Sequence, residues 1–226
     1  LEPGNRPDPT LMSESSLSQE HSTMSQQKSL DFIFDFASPN VYLAHKALPG
    51  ILERTGTSLN IIPCLLGGIF KATGNRAPMV AFADIKGKMD YEMLEIRRFI
   101  AKHGISKFKM NPNFPVNSLL AVRGLIVAQM DGETERYIDP VLAGFWEQGQ
   151  KMDDPQVLGA VLSEAGFDAE SLLDRTRDQA VKDRLTANTA AAVQHGTFGM
   201  PTFFVGNEMF FGKERLGQVE EALATD

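Results

Sequence analysis

The run from Leu30 to Leu48, LDFIFDFASPNVYLAHKAL, constrains the fold more than any other part of the chain. Between Leu30 and Ala37 only Asp31 and Asp35 interrupt apolar side chains, a pattern that suits a strand buried on both faces. Ser38-Pro39 then supplies a helix N-cap and a proline at the first helical position, where the missing N–H costs nothing. Beyond it Val41, Ala44, Leu48, Ile51 and Leu52 recur at helical spacing and predict one amphipathic helix.

A hydroxyl at this junction lies among unpaired backbone N–H groups at the positive end of a helix dipole, a setting that favours a nearby anion. Thiol-redox proteins of the thioredoxin type place Cys-x-x-Cys there, and the helix end holds the first sulfur as thiolate. The four positions here read Ser38, Pro39, Asn40 and Val41, so disulfide exchange has no sulfur to use. A serine can instead donate a hydrogen bond to a thiolate on a separate molecule, and glutathione is the candidate owner. The plainer reading is that Ser38 is a helix cap and nothing more.

After this helix, Gly56 is expected to close a turn, and Ser58–Pro63 alternates like a second strand, giving a right-handed strand–helix–strand unit. Strand signals then vanish for more than a hundred residues. Gly67-Gly68 and Gly74–Pro78 read as loop, Met79 to His103 as one helix, Met110–Pro115 as a non-helical connection. Asn117 or Ser118 opens a helix to Met130, and Thr134–Gln148 is another. Asp154-Pro155 starts one ending at Gly166, and Asp168 starts one running toward Thr186. Leu185–Gln194 is helical; Phe203–Val205 and Met209–Phe211 form a hairpin about Gly206-Asn207, and Lys213–Ala224 is the last helix. The expected fold is therefore α/β: a thioredoxin-like domain of residues 30–65 and 186–226, with an all-helical insertion, 66–185, of about four to six helices between its halves. Residues 1–29 are too polar to order by themselves and are expected to form a tail, in which Met12 and Met24 are candidate initiators.

Charge and cysteine usage narrow the function classes. The net charge of -7 argues against nonspecific nucleic-acid binding, which needs a basic field. Cys64 is the single cysteine, which excludes an internal disulfide and a thiolate metal cluster and fits a reducing cytoplasm. Flanked by Leu65 and Leu66, it is expected to be a buried small hydrophobe. His21, His45, His103 and His195 show no metal-ligand spacing, and His45 is expected on an exposed helix face. No stretch approaches a membrane span, and the N-terminal segment lacks the apolar core of a signal peptide.

Four segments in order, Asp31-Phe-x-Phe-Asp35-Phe-x-Ser38-Pro39, Gly74-Asn75, Phe198-Gly199-Met200-Pro201-Thr202 and Phe211-Gly212-Lys213-Glu214-Arg215-Leu216, resemble the 2-hydroxychromene-2-carboxylate isomerases. These belong with the kappa-class glutathione transferases among the DsbA-like thioredoxin proteins. The resemblance implies that Ser38 hydrogen-bonds the glutathione sulfur. Pro201 would be a cis proline that exposes the Met200 backbone to the extended tripeptide, as an added strand would be met. Glu214 would accept the γ-glutamyl ammonium, with backbone N–H groups around Lys213 and Glu214 holding the adjacent carboxylate. Lys-Glu departs from the Ser-Asp usual in kappa transferases, and this leaves Lys213 the weaker match.

Asn75 matches an asparagine at the glutathione or substrate pocket, and Lys71 and Arg76 beside it are candidates for the carboxylate of an aromatic substrate. Read locally, Asn75 is a turn residue and both cations are solvated surface charges. The implied chemistry is thiolate addition to the conjugated substrate, rotation about the resulting single bond and expulsion of glutathione, yielding trans-o-hydroxybenzylidenepyruvate in aromatic catabolism. A homodimer is implied by the same resemblance. The competing readings are a kappa-like transferase or peroxidase using the same serine, a noncatalytic peptide-binding thioredoxin relative and, weakest, a disulfide oxidoreductase.

Overall fold

The computed structural model describes residues 29–225. The expected tail falls on residues outside that range except Ser29, which opens strand β1, Ser29–Phe34. β1 turns through Ser38 into α1, Pro39–Ala47, and α2, Pro49–Thr55. The single helix expected here breaks at Leu48, because Pro49 has no N–H to continue the ladder. Gly56, at φ 63°, closes α2, and β2, Ser58–Pro63, returns parallel to β1.

Between β2 and the next strand the described residues hold only helices: α3 Leu66–Thr73, α4 Pro78–Ala81, α5 Lys88–His103, α6 Leu119–Met130, α7 Thr134–Trp146, α8 Pro155–Glu164, α9 Ala169–Arg175 and α10 Gln179–Gln194. These are more and shorter helices than the periodicity suggested. Gly67-Gly68 is inside α3 rather than in a loop; a Cβ on Gly68 would lie 3.1 Å from Thr189 Cγ2 of α10, so the glycine serves helix contact. The helix expected from Met79 is two, separated by Phe82–Gly87, with Gly87 at φ 81°. The helix expected to run from Asp168 ends at Arg175, and α10 spans the 185/186 position taken as the start of the second half.

β3, Thr202–Val205, and β4, Glu208–Phe211, complete a mixed sheet in the order β2-β1-β3-β4, with β3 antiparallel to β1. A 3-10 turn at Lys213–Arg215 leads into α11, Leu216–Ala224. This is the expected thioredoxin-like α/β architecture. Its core is aromatic: Phe32, Phe34 and Phe36 meet edge to face at 5.4 and 5.0 Å, and Phe36 stacks on Phe145 of α7 at 5.9 Å. Each fully buried ring contributes about 1.5–3 kcal/mol. The same chain of rings fixes the C-terminal end of β1 against the helical block. Trp146, wholly buried, adds a direct tie by donating Nε1–H to the Phe36 carbonyl at 2.8 Å.

Candidate active site

Ser38 sits two residues beyond that tie. Asp35, also buried, holds the approach: its Oδ1 accepts from the Ala37 N–H at 2.9 Å and its Oδ2 from the Leu66 N–H at 2.7 Å, joining β1 to the start of α3. Burial pushes the Asp35 carboxyl above the usual carboxylate range, against the pull of these bonds and of Ser118. Sequence reading passed Asp35 over as an interruption in a strand. Ser118, a candidate cap, makes no side-chain cap; the adjacent Asn117 Oδ1 accepts from Leu119 N–H at 2.9 Å.

Ser38 is the N-cap of α1, with extended backbone at φ −97°, ψ 118°, and 5% exposure. Its Oγ accepts from the Val41 N–H at 3.3 Å, so the cap reading holds. A hydroxyl also donates, and among the described residues no acceptor receives the Ser38 proton. The Asn40 N–H is likewise without a carbonyl partner there. The positive end of α1 thus presents one O–H and one N–H that a sulfur anion can accept.

The Met200–Pro201 peptide is cis, as the resemblance implied; the Phe114–Pro115 peptide is cis as well, which was not foreseen. The β1–β3 register pairs Ile33 with Thr202, and carried on it sets Met200 opposite Asp35. Around Met200 the backbone is committed: the Phe198 carbonyl accepts from Asn75 Nδ2 (2.8 Å), the Gly199 carbonyl from Thr202 Oγ1 (2.8 Å) and the Pro201 carbonyl from the Gly212 N–H (2.9 Å). Met200 itself makes no backbone hydrogen bond among the described residues, leaving one donor and one acceptor to pair with an extended peptide.

Asn75 is exposed, yet its carboxamide is engaged at both ends, since Oδ1 accepts from the Arg76 N–H at 2.8 Å. It ties the loop after α3 to the cis-proline loop and keeps one N–H and one lone pair for a ligand. Lys71 and Arg76 are exposed and make no ion pair among the described residues.

Gly212, bonded to Pro201, brings Lys213 and Glu214 beside the cis-proline loop. The N–H groups of both residues are unpaired among the described residues, as an anion site requires. Their side chains meet. Lys213 is 3% exposed, lies over the Phe99 ring with Nζ 5.5 Å from its centroid, and pairs with the Glu214 carboxylate. Glu214, half exposed, is therefore partly neutralised before any ammonium arrives. The two line a groove of about 470 Å³ with Phe99, Lys102 and His103 that runs to Lys46 at the C-terminal end of α1. A separate cavity of about 360 Å³, lined by Asp31, Asn60 and His195, holds none of the expected site residues.

Cys64 is fully buried, and burial, reinforced by the Asp35 charge, pushes its thiol up to about 12, so no thiolate is available from this chain. His45 is half-buried rather than exposed, its Nε2 3.4 Å from Asp139 Oδ1 across the α1–α7 contact. No cluster of metal-ligating side chains occurs among the described residues, and no described helix is long and apolar enough to cross a membrane.

Comparison with known proteins bears on these features. Residues 29–224 match the family model of the DSBA-like thioredoxin domain. The chain is 30% identical over 196 residues to 2-hydroxychromene-2-carboxylate isomerase of Pseudomonas sp. (strain C18), covering 86% of this chain and 89% of that one. It is 25% identical over 200 residues to glutathione S-transferase kappa 1 of Rattus norvegicus, covering 83% and 87%. Among solved structures, a 2-hydroxychromene-2-carboxylate isomerase superposes with a TM-score of 0.75 at 28% identity, covering 86% of this chain and 94% of that one.

Proposed function

This chain belongs to the DSBA-like thioredoxin family, and on that premise we propose that it is a glutathione-dependent isomerase converting 2-hydroxychromene-2-carboxylate-type substrates to trans-o-hydroxybenzylidenepyruvate. The observation that carries the reading is the pairing of an uncommitted Ser38 hydroxyl proton at the start of α1 with an uncommitted Met200 backbone at a cis-proline loop. Glutathione fits both: its sulfur accepts the O–H, and its cysteinyl peptide pairs with Met200.

Bound glutathione supplies a thiolate nucleophile that the chain lacks. Ser38 donates its hydroxyl proton to that sulfur, and the Asn40 N–H and the α1 dipole favour the negative charge. A two-unit depression of a thiol pKa corresponds to roughly 2.7 kcal/mol, within reach of one hydrogen bond to a charged acceptor plus a helix end. The unpaired N–H groups of Lys213 and Glu214 orient the γ-glutamyl carboxylate, and the Glu214 carboxylate its ammonium. Asn75 fixes the loop that faces the substrate, and Lys71 and Arg76 provide cations for the substrate carboxylate. The helices from 66 to 185 form the inserted unit on that side, and we place the enzyme in the reducing cytoplasm as a homodimer.

The test is conversion of 2-hydroxychromene-2-carboxylate with and without glutathione, with total glutathione followed in parallel. Conversion that requires glutathione and leaves its amount unchanged supports the isomerase. Net consumption with an electrophile supports instead a kappa-like transferase, the reading that the rat relative favours.

A further inference from the structure

Phe198 and Phe211 are the exposed phenylalanines among the described residues, at 38% and 41%, and their ring centroids are 4.5 Å apart at 49°. One comes from the loop before the cis peptide and the other from the last residue of β4. Two large rings left side by side at the surface offer an apolar face. They are also held in place. Asn75 fixes the Phe198 carbonyl, and the Phe211 ring lies so close over Gly199 that a Cβ there would stand 2.9 Å from Cε2. Such a surface requires little ordering when a ligand arrives.

We propose that the Phe198–Phe211 pair is the face on which the substrate's aromatic ring is held, which makes these two residues specificity determinants of the reaction. The inference rests on the function proposed above. The pair is continuous with the uncommitted Met200 backbone through Gly199, and Asn75 ties the Phe198 carbonyl to the backbone N–H of Arg76, a residue exposed at the surface. An exposed pair of aromatic rings, one of them on the loop tied to Arg76, suits an aromatic carboxylate, the rings meeting its apolar part. The size of the pair also selects the occupant. Two rings about 40% exposed offer roughly 150 Å², the face of a bicyclic ring system and far below the roughly 1,000 Å² of a stable protein interface.

The experiment uses coumarin-3-carboxylate, a bicyclic aromatic carboxylate with no hemiketal to open, titrated into the glutathione-saturated protein by calorimetry. Phe198→Leu and Phe211→Leu are expected to weaken its binding about tenfold each, with glutathione affinity and Tm unchanged, while Phe211→Tyr retains wild-type binding. Leucine variants that bind it as tightly as wild type overturn the proposal, as does wild-type protein that does not bind it at millimolar concentration. Leucine variants that lose glutathione affinity in equal measure overturn it too, by showing a general structural role. Wild-type protein that binds coumarin-3-carboxylate through these rings but does not convert hydroxychromene carboxylate supports the ring-holding role and contradicts the isomerase reading.

Discussion

The Asn75 Nδ2 donates to the Phe198 carbonyl at 2.8 Å across 123 residues of chain, so a side-chain hydrogen bond ties the loop after α3 to the cis-proline loop. Exposed hydrogen bonds of this kind contribute about 1 kcal/mol. Asn75→Ala is therefore expected to lower kcat/KM about fivefold with little change in Tm. Asn75→Asp, which retains the acceptor for the Arg76 N–H but loses the donor to Phe198, is expected to behave like Asn75→Ala in steady-state kinetics. Wild-type kinetics in both variants would show that the tie has no part in turnover.

Asp35 fixes two buried N–H groups, those of Ala37 and Leu66. Asp35→Ala leaves both unpaired and is expected to destabilise the fold by about 2–4 kcal/mol in denaturant unfolding. The folded-state pKa is raised above 3.8, so the unfolded chain releases this proton first. Stability from this group is therefore greatest at low pH, falls as pH rises from 3.8 through the folded-state pKa, and is level above it. The stability difference between wild type and Asp35→Asn is expected to shrink over that window and then stay constant. A difference that grows with pH contradicts the assignment.

Glu214 and Lys213 are expected to act in opposite senses. Glu214→Gln removes the charge that meets the γ-glutamyl ammonium and should weaken glutathione binding about tenfold, without affecting cysteinylglycine, which lacks that group. Lys213→Met replaces a buried ammonium lying on Phe99 with an apolar chain of similar length and frees the Glu214 carboxylate. Glutathione affinity in that variant is expected to equal or exceed wild type, by calorimetry, with stability unchanged or improved.

Cys64 is expected to resist alkylation by iodoacetamide at pH 8 in the native protein and to react at the rate of global unfolding, because its thiol is buried and pushed up to about 12. Cys64→Ala should retain turnover. Rapid labelling of folded protein would reopen thiol chemistry in this chain.

Local chemistry made the front of the site legible. Ser38-Pro39 announces a helix start wherever it occurs after an apolar strand, and the hairpin about Gly206-Asn207 follows from turn residues alone. What failed were judgements that depend on a distant partner. Gly67-Gly68 looked like a loop because the Thr189 side chain that a Cβ on Gly68 would crowd lies on α10. The burial of Lys213 was not legible because Phe99, which it lies over, is over a hundred residues away in the chain. The cis bond at Pro201 was legible only through family resemblance, since local sequence favours trans. Asp35 was invisible for the reason it matters, because its partners Leu66 and Ser118 come from other elements.

The central claim is that the Ser38 hydroxyl stabilises a thiolate borrowed from glutathione. The direct measurement is an ultraviolet titration of thiolate absorbance for bound glutathione in wild type, Ser38→Ala and Ser38→Gly. Glycine is a fair N-cap, so it spares α1 all but a few tenths of a kcal/mol while removing the hydroxyl. The bound thiol pKa is expected to rise by about one to two units in both variants, with turnover falling in step. An unchanged thiol pKa in Ser38→Gly contradicts the account.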